Sequence, residues 1–469
     1  MVIGFGLPTC SLSRNLFTHL STVSFAMIGL TVGLVGAPVV AAATGAPSPI
    51  ESKASALFKA GDYPEVTALY RTLPPEVAPS KEFLRLALQS YLRLGRTDEA
   101  LSVYSKLTPP GQSQDPVLLR PLALGMITGH VRDRKEHVRI AAYSALAELG
   151  LPETAAILED GLLDTSVVVR ARAAEAIGKA GLAAKSGALR RALRDEMPTV
   201  RIAAMTALGE ATAADVRQRL IDAARTEDGP EAIFASAALV KMGHAERLNE
   251  ITSAATLPDP ESRMAALGAL GRLKRPASLA VLAQAVYDPD PSVRAFAAGA
   301  LGDFGSPEGV APLTHAIGDE MAMIRGIAAA SLGKLGVKDN RPLLIALTHD
   351  PNAQVRAKAT EALLRLGDAS AMTLAAELAR HPDPSIRGAA AQALSALQDD
   401  GAITLLKALL SDQQPLPRLM AAKALQKSND SAIPVLVQGL RDTDEAVRIA
   451  AANSLLQQVT KQPTPKRRR

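Results

Sequence analysis

Seven histidines, one cysteine and a recurring set of aspartates and arginines are the residues of this 469-residue chain that could do chemistry. Imidazole and carboxylate groups hold a metal or move a proton only where several converge. The histidines are His19, His130, His137, His244, His315, His349 and His381, and none is followed by Glu. No two of the last six share a place in the repeating pattern described below, and no ligand spacing joins them. Cys10 stands alone, so an internal disulfide, a thiolate zinc site and an iron–sulfur cluster are all excluded. There is no glycine-rich phosphate loop and no G-x-S-x-G elbow. The reading is a non-catalytic chain with no cofactor and no metal.

The arginines are a different matter, because they recur. Arg139, Arg170, Arg201, Arg263, Arg294, Arg325, Arg356, Arg387, Arg418 and Arg448 lie 31 residues apart, with one doubled step over Ala232 and a last step of 30. Alanine stands three residues after each of these eleven positions, Ala or Ser six after, and Leu or Ile seven after. Offsets of three, six and seven share one helical face, and small residues on it let two helix backbones approach closely. Eleven residues after the arginine comes a stop, such as Gly150, Gly181, Gly305, Gly336 or Gly367. A shorter apolar pattern precedes each arginine, as in SLAVLAQAV at 278–286. Each unit therefore reads as helix, tight turn, helix. One hairpin cannot bury its own apolar face, so the copies must stack. An aspartate sits six residues before the arginine in eight copies, from Asp133 to Asp442, and Asp and Arg read as a ladder tying neighbouring copies together. The copy at Ala232 lacks both partners and has Thr226 in place of the aspartate, which marks it as the weak joint.

These units, for example DPDPSVRAFAAGALGDFG at 288–305, resemble HEAT-like repeats of the phycobilisome-lyase type across residues 115–459. The resemblance implies an all-α fold: an α-solenoid, a right-handed superhelix of about eleven helical hairpins. It also implies that second helices line a concave face that commonly binds another protein. Deoxyhypusine hydroxylase is similar in fold but needs His-Glu dyads for two irons, which this chain lacks. A lyase-like or pigment-processing accessory role is the alternative, and it fits poorly with an exported chain.

Upstream, ALFKAGDYPEVTALYRTLPP at 56–75 aligns with SYLRLGRTDEALSVYSKLTP at 90–109 at a period of 34. Gly61/Gly95 and Tyr70/Tyr104 keep that register, so residues 50–112 resemble tetratricopeptide repeats capping the array, although Val66 departs from the pattern.

Both ends differ from the body. Arg14 precedes an apolar run over about 20–40 that closes on Ala41–Ala43, so residues 1–43 read as a signal peptide or membrane anchor. The expected address is the periplasm, with an uncleaved inner-membrane anchor as the alternative. Residues 460–469 read as a disordered basic tail suited to anionic lipid. Without Arg14 and the five basic residues of that tail, the net charge of +5 becomes −1, so nucleic acid is an unlikely partner.

The expected partner is a protein or peptide. Aromatics are only 3% of the chain, yet Phe234 and Phe296 fall at the same offset two copies apart. With Met264, Ile327 and Met420 they form a predicted apolar strip rimmed by the charged residues at offset nine.

Overall fold

A computed structural model describes residues 48–74, 77–109 and 114–461. The chain divides into two units, Met1–Ser48 and Pro49–Arg469, and the second holds every element described below. The signal or anchor segment and residues 462–469 of the tail lie outside the described residues.

Four helices come first: α1 (Pro49–Ala60), α2 (Tyr63–Arg71), α3 (Lys81–Arg93) and α4 (Thr97–Leu107). The Asp62 carboxylate accepts the Glu65 amide at 3.3 Å and so starts α2. Gly61 and Gly95 turn each pair at φ of 81° and 69°, the left-handed region where a Cβ is penalised. Phe83, Tyr91 and Tyr104 are fully buried here, and Tyr70 meets Phe83 and Tyr91 edge-on at 6.0 and 6.1 Å. This corner has the bulky core that the alanine-rich repeats lack.

The repeats begin with α5 (Pro116–Thr128) and α6 (Glu136–Leu149) and continue as hairpins to a closing helix, Glu445–Lys461. Each second helix starts on an extended residue and often a proline. In the sixth repeat Pro291 opens the helix, Asp290 accepts the Ser292 amide at 2.8 Å, and Gly305 ends it at φ of 81°. Each second helix packs along the next, whereas neighbouring first helices scarcely touch. Second helices therefore occupy the smaller radius, on the concave side.

The closeness of second helices has a local cause. A Cβ at Gly209 would stand 2.5 Å from Cβ of Ala238, and one at Gly333 2.5 Å from Cα of Ala362. The same pairing recurs where the residue eight after one arginine is glycine, at Gly178, Gly302 and Gly271, each facing a small residue six after the next arginine. In the fourth and eighth repeats the eighth position is Val240 and Leu364, both buried.

The arginines form the ladder. Arg325 shows the arrangement. Its Nε and Nη2 donate to both oxygens of Asp350 in the next repeat at 2.8 and 3.0 Å, and its Nη1 donates back to the Asp319 carbonyl at 2.9 Å. Asp350 also accepts the Asn352 amide at 2.8 Å, so one carboxylate closes a turn and fastens two repeats. The Arg325 guanidinium holds the Asp350 carboxyl below its usual range. The same bidentate rung joins Arg139–Asp164, Arg170–Asp195, Arg263–Asp288, Arg294–Asp319, Arg387–Asp412 and Arg418–Asp442.

The gaps are informative. Arg201 has Thr226 where its aspartate should be, yet takes Glu231 instead, with Nε to Oε1 at 2.6 Å. The interface entering the fourth repeat is thus fastened, contrary to the expectation that this repeat lacks partners on both sides. The interface leaving it is not, because Ala232 faces Leu257. A second gap leaves Arg356 opposite His381, whose Nδ1 accepts the Asp383 amide at 3.1 Å. Both gaps fall at interfaces whose eighth position is a buried larger residue, Val240 or Leu364. At the second, an outer pair between Arg341 and Asp368 remains at 2.6 Å. Among the described residues, no ion pair crosses the first.

The periodicity predicts a solenoid and does not reveal where its ends lie. They meet. The closing helix packs along α5 and α6, burying Leu455 and Leu456 of the one with Leu119, Leu122 and Met126 of α5. Glu445 accepts from Lys135 Nζ at 2.8 Å, which repeats the register of Glu136 with Ser166 one interface later. Asn453 Nδ2 donates to Glu148 at 2.6 Å, and Arg448 lies 3.9 Å from Asp98 of α4. The Lys135 ammonium pulls the Glu445 carboxyl down to about 2. The solenoid is a closed ring, with α4 bracing its seam.

Asp350→Ala should lower unfolding free energy by about 2–3 kcal/mol in urea titration, since it strands a mostly buried guanidinium. Asp303→Ala, which breaks only the exposed pair with Lys334, should cost under about 1 kcal/mol. The Asp350 effect is full above about pH 4 and shrinks as pH falls through the depressed folded-state value. Amide exchange inside the array should be fastest over 243–262, beside the Ala232–Leu257 gap, and uniform protection would contradict this. Carbodiimide treatment of monomer should join Lys135 to Glu445 in one chain, read by peptide mass. An open array would yield no such link.

Candidate functional site: the inner wall of the ring

Second helices touch their own first helix on the outside and their neighbours on either side, which leaves one direction open. Offsets −2, +2, +5 and +9 from the arginine position share that stripe. Exposure follows it. Phe296 (+2) is 41% exposed, and at offset −2 Met323 is 57%, Val168 45% and Leu416 43% exposed, the largest apolar exposures on the inner wall.

Phe234 and Phe296 converge from either side of the fifth repeat. That repeat places Gly268 between them, and a Cβ there would lie 3.3 Å from Phe296 Cζ and 3.8 Å from Phe234 Cζ. The glycine lets both rings lean over one helix. Ile327 extends the patch into the seventh repeat, its Cγ2 3.7 Å from where a Cβ of Gly299 would stand. Met323 and Ile327 border a cleft of about 310 Å³ with Val355 and Lys358. Arg272 lies 5.9 Å from the centroid of the Phe234 ring, a cation–π contact at the patch edge.

The predicted residues do not all belong together. Phe234, Phe296 and Ile327 form one patch. Met264 is at offset +1, where Ile233, Ala295 and Ala357 are buried between helices, and it is itself half-buried in the packing. Met420 stands apart, over Gly388 and beside Leu416. The eighth repeat separates the two patches with a buried polar knot, Glu361 between Lys358 at 3.1 Å and Arg365 at 2.9 Å. Met323 and Leu416 were not among the expected residues. Their offset, −2, returns to the same stripe one turn earlier, so the helical period could have found them.

The histidines scatter as their offsets imply. His130 Nδ1 bonds the Met126 carbonyl at 2.6 Å, and the His315 ring stacks on Tyr287 at 4.5 Å. Among the described residues, no three His, Cys, Asp or Glu side chains gather as a metal site requires. None of the described helices is long and apolar enough to cross a membrane.

A ring of stacked helical hairpins with an exposed apolar inner wall defines the class: a helical-repeat scaffold. The family profile for HEAT repeats matches residues 120–178, 160–238, 279–363, 340–426 and 404–465, well over half the chain, and the chain belongs to that family. No curated protein matches it. Solved structures similar to it include the complex of CpcE and CpcF of phycocyanin lyase from Nostoc sp. PCC7120, at 19% identity and TM-score 0.36, covering 51% of this chain and 94% of that one. A mutant of Kap121p is similar at 14% identity and TM-score 0.36, covering 84% of this chain and 54% of that one. Human deoxyhypusine hydroxylase in complex with glycerol is similar at 19% identity and TM-score 0.27, covering 47% and 98%. These likenesses concern the fold.

Proposed function

We propose that the protein is a non-catalytic scaffold of the bacterial cell envelope that binds a protein or peptide on the inner wall of its ring. The observation that carries this reading is the Phe234–Gly268–Phe296 patch. In the neighbouring repeats offset +2 is Ala203 or Ala265, both buried, so packing needs no ring there. A half-exposed Phe on a wall that tolerates alanine is a binding anchor rather than a core residue. Support for the address is the apolar run over 20–40 with its Ala41–Ala43 close, and the basic tail would add contact with anionic lipid headgroups.

Phe296→Ala should weaken capture of the wild-type partner from envelope extracts by about 2 kcal/mol, roughly thirtyfold. Its melting temperature should stay within a few degrees of wild type. A core residue would behave oppositely, losing about 3–5 kcal/mol of stability with capture unchanged. That second pattern would remove the proposal.

A further inference from the structure

Shape and charge together narrow what the wall can take, and this narrowing rests on the inner-wall reading above. Eleven second helices form the ring. At interaxial distances of about 9–10 Å they enclose a circle about 30 Å across between axes. Subtracting a helix radius of about 5–6 Å on each side leaves about 20 Å of open lumen. One helix, about 10–12 Å wide, passes through such an opening. A folded domain of about 100 residues, with a radius of gyration of about 13 Å, does not.

The fourth and tenth repeats lie nearly opposite on this circle, with the sixth and seventh between them. Phe234, Phe296, Ile327 and Met323 occupy the fourth, sixth and seventh repeats, and Leu416 with Met420 occupies the tenth. A rod in the lumen meets both.

Charge on the stripe is unevenly neutralised. Its carboxylates are mostly engaged: Glu175 with Arg172 at 2.8 Å, Asp303 with Lys334 at 2.6 Å, and Glu361 with two cations. Glu148 accepts from Asn453, and among the described residues Glu210 and Glu261 have no ion pair. Among the described residues, Lys179, Lys241, Arg272, Lys423 and Lys427 have no ion pair, although all five lie at offsets +5 or +9 of the stripe. Offset +9 is seven residues, about 10 Å, further along the wall than the Phe level. The lumen thus has an apolar belt and, two turns nearer one mouth, a cationic belt.

We propose that the ring holds a single α-helix whose apolar residues sit between the two patches and whose carboxylates, about two turns along, meet Lys241, Arg272 and Lys427. Uncompensated lysines on a concave wall attract acids and repel bases over distances near the Debye length, so charge sets both selectivity and association rate.

The test uses the whole protein and three synthetic helical peptides of about twenty residues. They share one apolar block and differ only in a second block of Glu, Gln or Lys. Fluorescence anisotropy should show the Glu peptide binding on the order of tenfold or more tighter than the Lys peptide at low salt, with the gap closing at high salt. In the Lys241→Glu/Arg272→Glu variant the order should reverse. Phe296→Ala should weaken all three peptides alike. Equal binding of Glu and Lys peptides, or no response to the charge reversal, would overturn the acidic helix while Phe296 dependence left the inner-wall reading standing. Binding indifferent to Phe296→Ala would remove both. No binding by any peptide, with Phe296-dependent dimers in light scattering, would make the occupant a second copy of this chain and overturn the helix.

Discussion

Curvature in this molecule depends on one steric feature: in most repeats the residue eight positions after the arginine is small enough to admit the helix of the next repeat. Where it is glycine, as at Gly178, Gly209, Gly302 and Gly333, neighbouring helices come so close that an added Cβ would fall within 3 Å of the other helix. Close approach on one side and none on the other bends the stack. Repeated along the array, that bend brings the closing helix back to α5. The lumen, the two apolar patches and the seam are consequences of that spacing.

The arginine–aspartate rungs act on this geometry as fasteners rather than as its source. Each spans two repeats and caps a turn, so its loss uncovers a charge and loosens a loop together. The rung is absent at the interfaces of Val240 and Leu364 but intact at that of Gln426, so the size of the eighth residue does not decide it. A local apolar cluster takes over where it is absent, with Ile233, Ile251 and Leu270 at the first gap and Leu378, Ile386 and Ala390 at the second. The ring is therefore made of stiff arcs joined at two softer places and at the seam, where Arg448, expected in the ladder, makes no bidentate rung.

Much of this was legible in the sequence, because the repeat converts position into environment. The ladder, the helix stops and the common offset of Phe234 and Phe296 all follow from a 31-residue period and helical geometry. Met264 sits apart from the patch because offset +1 lies on the edge of the stripe, where a shift of one residue turns a side chain through about 100° toward the neighbouring helix. The role of Glu231 was hidden because it reaches Arg201 from the start of a helix, outside the aspartate column. Ring closure sums small rotations that no single repeat displays. One signal did point to it. A terminal repeat of an open solenoid needs a polar outer face, and this chain has no charged residue between Arg448 and Lys461.

The seam joins helices whose starts are roughly 330 residues apart, and that separation has a consequence for synthesis. At about 5–20 residues per second the closing helix emerges tens of seconds after α5. Through that interval Leu119, Leu122 and Met126 have no cover from their final neighbour. The first repeat is made long before it can be finished, and closing so long a loop is entropically the most demanding step. The buried tyrosines of α3 and α4 stand beside this waiting surface and are translated before it. Early in the chain's life they are its available shield, and the ring becomes a ring only once the last helix has left the ribosome.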